Sequence, residues 1–210
     1  MTDADAIPFT GEPADSHEAI MRATFYALQE HGYAGLSIQR IADEADLSKS
    51  TFYHHFDGKD DLLLAFLEFI LDEFDRVFQL ESSGDPAQDL LTFFALILGD
   101  FPTAEEMPDP NDVLASYVEL RAQAVRNPEF KTKFTETDHR FTARITALIE
   151  EGIEKGVFAD VDAERTAQFL LTSLDGILLQ NATRNDNPLP GMREAMERYI
   201  ERELLLSDGE

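Results

Sequence analysis

Residues Leu36 to Phe56, read as LSIQRIADEADLSKSTFYHHF, constrain this chain more than any other stretch. They form two short helical segments with a tight turn between them. Ser37 can cap the first, because its hydroxyl accepts a backbone N–H that the first helical turn leaves unpaired. Ile38, Ile41, Ala42 and Ala45 then fall at i, i+3, i+4 and i+7, one apolar stripe of a helix. Ser48 can cap the second segment, where Phe52 and Phe56 lie one turn apart and face inward. The joint is Ala45-Asp46-Leu47, and aspartate is among the few residues other than glycine that tolerate a left-handed turn position. Two helices with a turn this short make a helix-turn-helix candidate, a unit that reads DNA.

With Phe52 and Phe56 inward and 100° per residue, Ser50, Thr51 and His54 face away from the core. Lys49, Tyr53 and His55 flank that face. At about 1.5 Å per residue, Ser48 to Phe56 spans about 13 Å, against a major groove about 12 Å wide. Small hydroxyls in front let the helix backbone approach base edges, and Ser, Thr and His can each donate to or accept from them. Tyr53, Lys49 and Lys59 suit phosphate oxygens, which fix register without reading sequence. Ser37 would offer a hydroxyl and free backbone N–H groups to another phosphate.

The remaining pattern is helical throughout, with no strand alternation and no internal repeat. Residues 1–14 carry Thr, Asp, Pro and Gly with few apolar residues and read as a mobile tail. A first helix starts at Asp15, with Glu18 at capping-box spacing, and ends at Gly32. Lys59-Asp60-Asp61 opens a long helix to about Leu80 whose first half, Leu62 to Leu71, is apolar nearly all round and must be covered on more than one side. After a loop at Ser82 to Pro86 comes an apolar helix through Leu90 to Leu98. Three prolines exclude helix interior at Phe101 to Pro110. Further helices run from Asn111 or Asp112 to Arg126, from Glu129 to Lys155 (with Gly152 and Gly156 as its fraying end), from Asp160 or Asp162 through Leu179, and from Met192 to Leu206. The division expected is a helix-turn-helix domain at 15–60 and a larger helical body at 61–210.

Composition excludes several classes. The chain has no cysteine, hence neither disulfides nor a thiolate metal site. It shows no N-terminal basic-then-apolar signal, and its longest apolar run, Leu62 to Leu67, is far too short for a bilayer. Together these point to a soluble, cytoplasmic protein without membrane association. No glycine-rich phosphate loop, nucleophile motif or paired histidine ligands point to an enzyme, a cofactor or a metal. The charge is unusual beside the motif: 42 acidic against 17 basic residues, a net −25. Residues 1–60 hold 11 acids against 4 Lys and Arg, so the basic footprint of a nucleic-acid binder is absent. Acid excess from end to end with scarce lysine fits a surface hydrated in concentrated salt, as in a salt-adapted organism, where screening blunts repulsion from phosphates. The alternative is a helical ligand-binding or protein-interaction module that does not bind DNA.

The run from Ala19 to Leu64 resembles the DNA-binding domain of the TetR family of repressors. The matching features are Gly32-Tyr33, Ser37 to Ala42, Leu47 to Phe56, and Lys59-Asp60-Asp61-Leu62. Asp46 and Ser50 stand where the family usually has glycine. The resemblance implies an all-α fold: an N-terminal three-helix bundle bearing the helix-turn-helix and a larger C-terminal ligand-binding and dimerisation domain. It implies that Lys49, Ser50, Thr51, Tyr53, His54 and His55 meet double-stranded operator DNA, with Ser37, Gln39 and Lys59 in support. It implies a homodimer through the last helices. From Ala167 to Leu179, 8 of 13 residues are apolar, more than one stripe requires, so Leu170, Leu174, Gly176, Ile177 and Leu178 are candidates for that interface. It also implies a small-molecule inducer in the C-terminal body, with Phe93, Phe94, Ile97, Tyr117, Leu120, Phe141 and Phe169 as candidate lining. Sixteen phenylalanines favour an apolar or amphipathic inducer.

Overall fold

Helix signals written locally in the sequence are met where they fall. The computed structural model describes residues 12–99 and 110–206. The expected tail, apart from residues 12–14, and the proline stretch from Phe101 to Pro110, apart from Pro110, lie outside the described residues. Among the described residues nine α-helices follow in order: α1 (Ser16–Gly35), α2 (Ile38–Glu44), α3 (Lys49–His55), α4 (Lys59–Glu81), α5 (Pro86–Ile97), α6 (Pro110–Gln123), α7 (Pro128–Glu154), α8 (Ala163–Thr183) and α9 (Leu189–Tyr199). A π-helical turn, Ile200–Leu204, ends the series. The fold is all-α, as expected. Asp15, Ser37, Ser48, Asp85 and Asp162 each cap a helix with a side-chain oxygen, satisfying N–H groups that the first turn cannot pair.

The described chain divides into two compact units. The first comprises residues 12–77 and 110–134. Its core joins Ile20, Met21, Phe25 and Leu28 of α1 to Ile41, Phe52, Phe56, Leu62, Leu63 and Phe66. Leu120 of α6 and Phe130 and Phe134 of α7 belong to the same cluster. The all-round apolar start of α4 is therefore covered from several sides, and α6 is part of what covers it. The second unit comprises residues 78–99 and 135–206, with Phe78, Leu90, Phe93, Ile145, Ile149, Phe158, Leu170 and Leu174 buried at its centre. Here the Phe93 ring meets Phe78, Phe94 and Phe141 edge to face at 5.6–5.7 Å, the preferred aromatic geometry.

Two helix ends differ from expectation. Gly32 does break α1, with φ 63°, but one further turn follows to Gly35. Gly152 is not at a fraying end. The Val157 N–H returns to the Gly152 carbonyl at 2.8 Å and the Gly156 N–H to that of Ile153 at 3.0 Å, with Gly156 at φ 68°. That is a Schellman closure, and it folds the buried Phe158 ring directly over Gly152.

Candidate nucleic-acid interface

The turn between α2 and α3 takes the shape its residues allow. Asp46 has φ 51°, the left-handed position expected of it, and the Leu47 N–H reaches the Ala42 carbonyl at 2.8 Å. The Ser37 hydroxyl oxygen accepts the Arg40 N–H at 3.3 Å, and that of Ser48 accepts the Thr51 N–H at 3.1 Å. Phe52 and Phe56 are buried, packed 5.7 Å apart. With that side fixed inward, Lys49, Ser50, Tyr53 and His54 are exposed together on the other. Tyr53 is 56 % exposed, a large aromatic that this unit leaves in solvent. Thr51 is half-buried, and its hydroxyl lies 2.9 Å from that of Ser48.

Besides Thr51, four of the expected contact residues have internal partners. His55 Nε2 lies 2.8 Å from the Ser16 hydroxyl, and its ring meets those of His17 and Phe56 at 5.9 and 6.0 Å. It fastens α3 to the start of α1. Gln39 gives its amide to Asp43 along α2. Ser37 is occupied as a cap. Lys59 Nζ donates to the Tyr33 carbonyl at 2.5 Å and sits 4.0 Å from the centre of the Tyr33 ring. Desolvation there holds its ammonium below the ordinary lysine range, against the neighbouring Asp60 charge. Of the two lysines expected at phosphates, Lys49 is the exposed one.

A contact that the sequence pattern did not disclose lies at the break in α1. Tyr33 follows Gly32, and the Glu119 carboxylate of α6 accepts its backbone N–H at 2.5 Å. Its carbonyl takes Lys59 of α4. Asn127, after α6, donates to Asp60 at 3.2 Å. Three helices thus converge on one residue of the reading unit. The separation of 86 residues between Tyr33 and Glu119 leaves no local signal.

The candidate pocket residues are divided between the two units. Tyr117 and Leu120 line an apolar cavity of about 60 Å³ in the first unit, with Phe25, Leu28 and Gln29 of α1, Phe66, Leu67 and Ile70 of α4, and Ser116. Phe93, Phe94 and Phe141 belong to the aromatic packing of the second unit, and Ile97 is half-buried. Phe169 is 54 % exposed and lies against Tyr199 at 5.4 Å. The α1 contribution had a legible trace, since Met21, Phe25 and Gln29 form a second i, i+4, i+8 row beside the first stripe.

The dimer candidates divide between two faces of α8. Leu170, Leu174, Ile177 and Leu178 are buried in their own unit. At 100° per residue they occupy one half of α8, while Phe169, Ser173, Gly176, Leu179 and Thr183 occupy the other. The outer half carries Phe169 and Leu179, the latter 52 % exposed. A side chain at Gly176 would meet nothing within 4 Å. The apolar surplus in α8 is real, but most of it is used internally.

Sequence comparison then places the chain. A model described as "Bacterial regulatory proteins, tetR family" matches residues 20–66, and one described as "BetI-type transcriptional repressor, C-terminal" matches residues 93–205. The chain belongs to the TetR family. A TetR transcription regulator from Haloarcula marismortui ATCC 43049 is 35 % identical, with TM-score 0.79, covering 91 % of this chain and 99 % of its own. A putative transcriptional regulator from Saccharomonospora viridis, solved in complex with choline, is 25 % identical with TM-score 0.76, over 91 % and 98 % of the two chains. The HTH-type transcriptional repressor AcnR of Corynebacterium efficiens is 26 % identical over 83 % of this chain and 86 % of its own. This TetR-family chain is a DNA-binding transcriptional regulator, not an enzyme. No helix among the described residues is long and apolar enough to cross a membrane.

Proposed function

We propose that the chain is a cytoplasmic homodimeric repressor, with residues 15–60 as its DNA-reading domain and 61–210 as its ligand-binding and dimerisation domain. A small apolar or amphipathic molecule releases it from its operator. The observation that carries the reading is the exposed front of α3. Ser50, Thr51 and His54 face bases, Lys49 and Tyr53 face phosphates, and Ser37, Gln39, His55 and Lys59 hold the reader in position beside them. Two copies joined through the outer half of α8, by Phe169, Gly176 and Leu179, would present two reading helices to half-sites about 34–36 Å apart or farther. Choline, bound by the Saccharomonospora viridis relative, is the first ligand to test.

The net charge of −25 favours operation in concentrated salt, and it also supports the second reading, a helical module that does not bind DNA. Binding to the region upstream of its own gene, followed from low to molar potassium chloride, separates the two. Specific binding with a preserved shift on salt increase is expected; no specific binding at any salt would sink the repressor reading. Lys49→Ala should weaken all sequences alike, and His54→Ala should alter sequence preference. Uniform loss from both would refute the groove assignment.

A further inference from the structure

The cavity walled by α1, α4 and α6 contains a chemical mismatch. Its lining is apolar and aromatic, with Phe25, Phe66, Ile70, Tyr117 and Leu120 among its walls, and no charged residue among the described ones lines it. Into that lining comes Gln29, whose side-chain amide nitrogen and oxygen are both buried with no hydrogen-bond partner among the described residues. A buried amide without partners is unfavourable, and leucine would fill similar space without that penalty. An amide retained in such a place has a use when something enters that pairs with it. The side chain offers donor and acceptor side by side, so the matching group also carries both.

We propose that this cavity binds a small neutral carboxamide-like molecule with a branched apolar body, held by the Gln29 amide, and that its occupancy adjusts DNA affinity. Neutrality follows from a lining without charge, since an ion would be buried uncompensated. Size follows from volume: one water needs about 10–15 Å³ of such space, so a cavity of about 60 Å³ takes on the order of four to six non-hydrogen atoms. The effect on DNA rests on the regulator reading above; the binding does not. It arises because α1 and α4 carry the reader between them, and because α6, the third wall, holds the end of α1 through Glu119 and Tyr33.

Isobutyramide is the probe. In the full-length protein with 15N label, the Gln29 side-chain NH2 resonance is assigned by its disappearance in Gln29→Leu. Titration should move that resonance saturably, and affinity measured on the Tyr117 and Leu120 signals should fall at least tenfold in Gln29→Leu. Ser116→Leu, which fills the cavity from α6 and leaves the amide in place, should weaken binding similarly and guards against a folding defect in the first variant. A non-saturable shift, affinity in both variants unchanged from the unsubstituted protein, or a crystal structure with isobutyramide present and only water beside Gln29 would overturn the site. Operator affinity is measured separately without probe and then with it. Saturable binding with no change in operator affinity overturns the regulatory half. Absence of operator binding before any probe is added counts against the repressor reading, while the saturable resonance shift still supports the site.

Discussion

Replacing Gly152 by alanine tests the C-terminal packing with a change of sign. In an ordinary helix interior, glycine to alanine stabilises by about 1 kcal/mol. Here the added methyl would lie 2.0 Å from Phe158 Cδ2, 2.5 Å from Cε2 and 2.8 Å from Cγ. Carbon atoms pack best at about 3.5–4.0 Å, so the ring must move by about 1.5–2 Å. Phe158 is 1 % exposed, and its segment is tied on both sides. Its own N–H bonds the Gly152 carbonyl at 3.0 Å, the Ala159 N–H bonds Leu204 at 2.8 Å, and the Leu206 N–H bonds Val157 at 3.0 Å. Expelling a buried phenylalanine costs about 3–5 kcal/mol. After the helix-propensity gain, the net loss should be about 2–4 kcal/mol.

Urea unfolding at fixed protein and salt concentration measures this. With m of roughly 2 kcal/mol per molar, the midpoint should fall by about 1–2 M. In a Phe158→Ala background the same change should be neutral or stabilising by up to about 1 kcal/mol, because the obstructing ring is gone. A double-mutant cycle therefore isolates the contact. If Gly152→Ala stabilises the otherwise unaltered chain, the close approach is refuted and the glycine is an ordinary helix-end residue.

Other consequences are read more briefly. Buried Asp89 accepts from the Ser82 hydroxyl at 2.6 Å, from Ser83 N–H and hydroxyl at 2.6 and 2.9 Å, and from Gly84 N–H at 3.2 Å; desolvation opposes its charge, but these donors together hold its carboxyl below the ordinary 3.8. Its contribution to stability is thus fully present above pH 3.8 and lost as pH falls through its lower native value, and Asp89→Asn, which points an NH2 at donors, should cost about 1–3 kcal/mol at neutral pH and flatten that acid slope in thermal melts. Glu119→Ala should speed hydrogen exchange at the Tyr33 amide and cost about 1 kcal/mol, a loss tempered by solvent at this exposed carboxylate; unchanged exchange would show that the α6 contact does not persist in solution. Leu179→Glu should weaken the dimer in sedimentation without lowering the fold's helicity, whereas Leu174→Glu, which buries the charge, should unfold its unit. Dissociation by Leu174→Glu with full helicity would return the interface to the inner face.

What could be read from sequence was what is decided within one or two helical turns. Ser37 and Ser48 cap as their spacing requires, Asp46 takes its left-handed position, and Phe52 with Phe56 fixes which side of α3 is left to face outward. The reader is legible because every part of it is local. The same local pattern misassigned Gly152, since the residue that gives it a purpose returns from beyond the helix end. In α8 the count of apolar residues was a sound signal of excess, but a count has no direction. Only the packed second unit decides that Leu174 faces in and Phe169 out. Lys59 and His55 sit at positions the resemblance marks for DNA, yet their partners, Tyr33 and Ser16, are visible only once α1 is folded against α3 and α4.

The break at Gly32 brings these strands of evidence to one place. A continuous helix would have used the backbone of Tyr33 for its own ladder. Just past the left-handed glycine, that N–H and carbonyl are bound by side chains of opposite charge from α6 and α4. Of these, the Glu119 contact is short, and a shift of α6 by little more than 1 Å would carry 2.5 Å beyond hydrogen-bond range. The Tyr33 N–H would then be left to solvent while Lys59 kept its carbonyl, so the end of α1 and the start of α4 would stay joined as α6 departed. A displacement of α6 would thus break one bond at the break in α1, which is either made or lost rather than gradually strained.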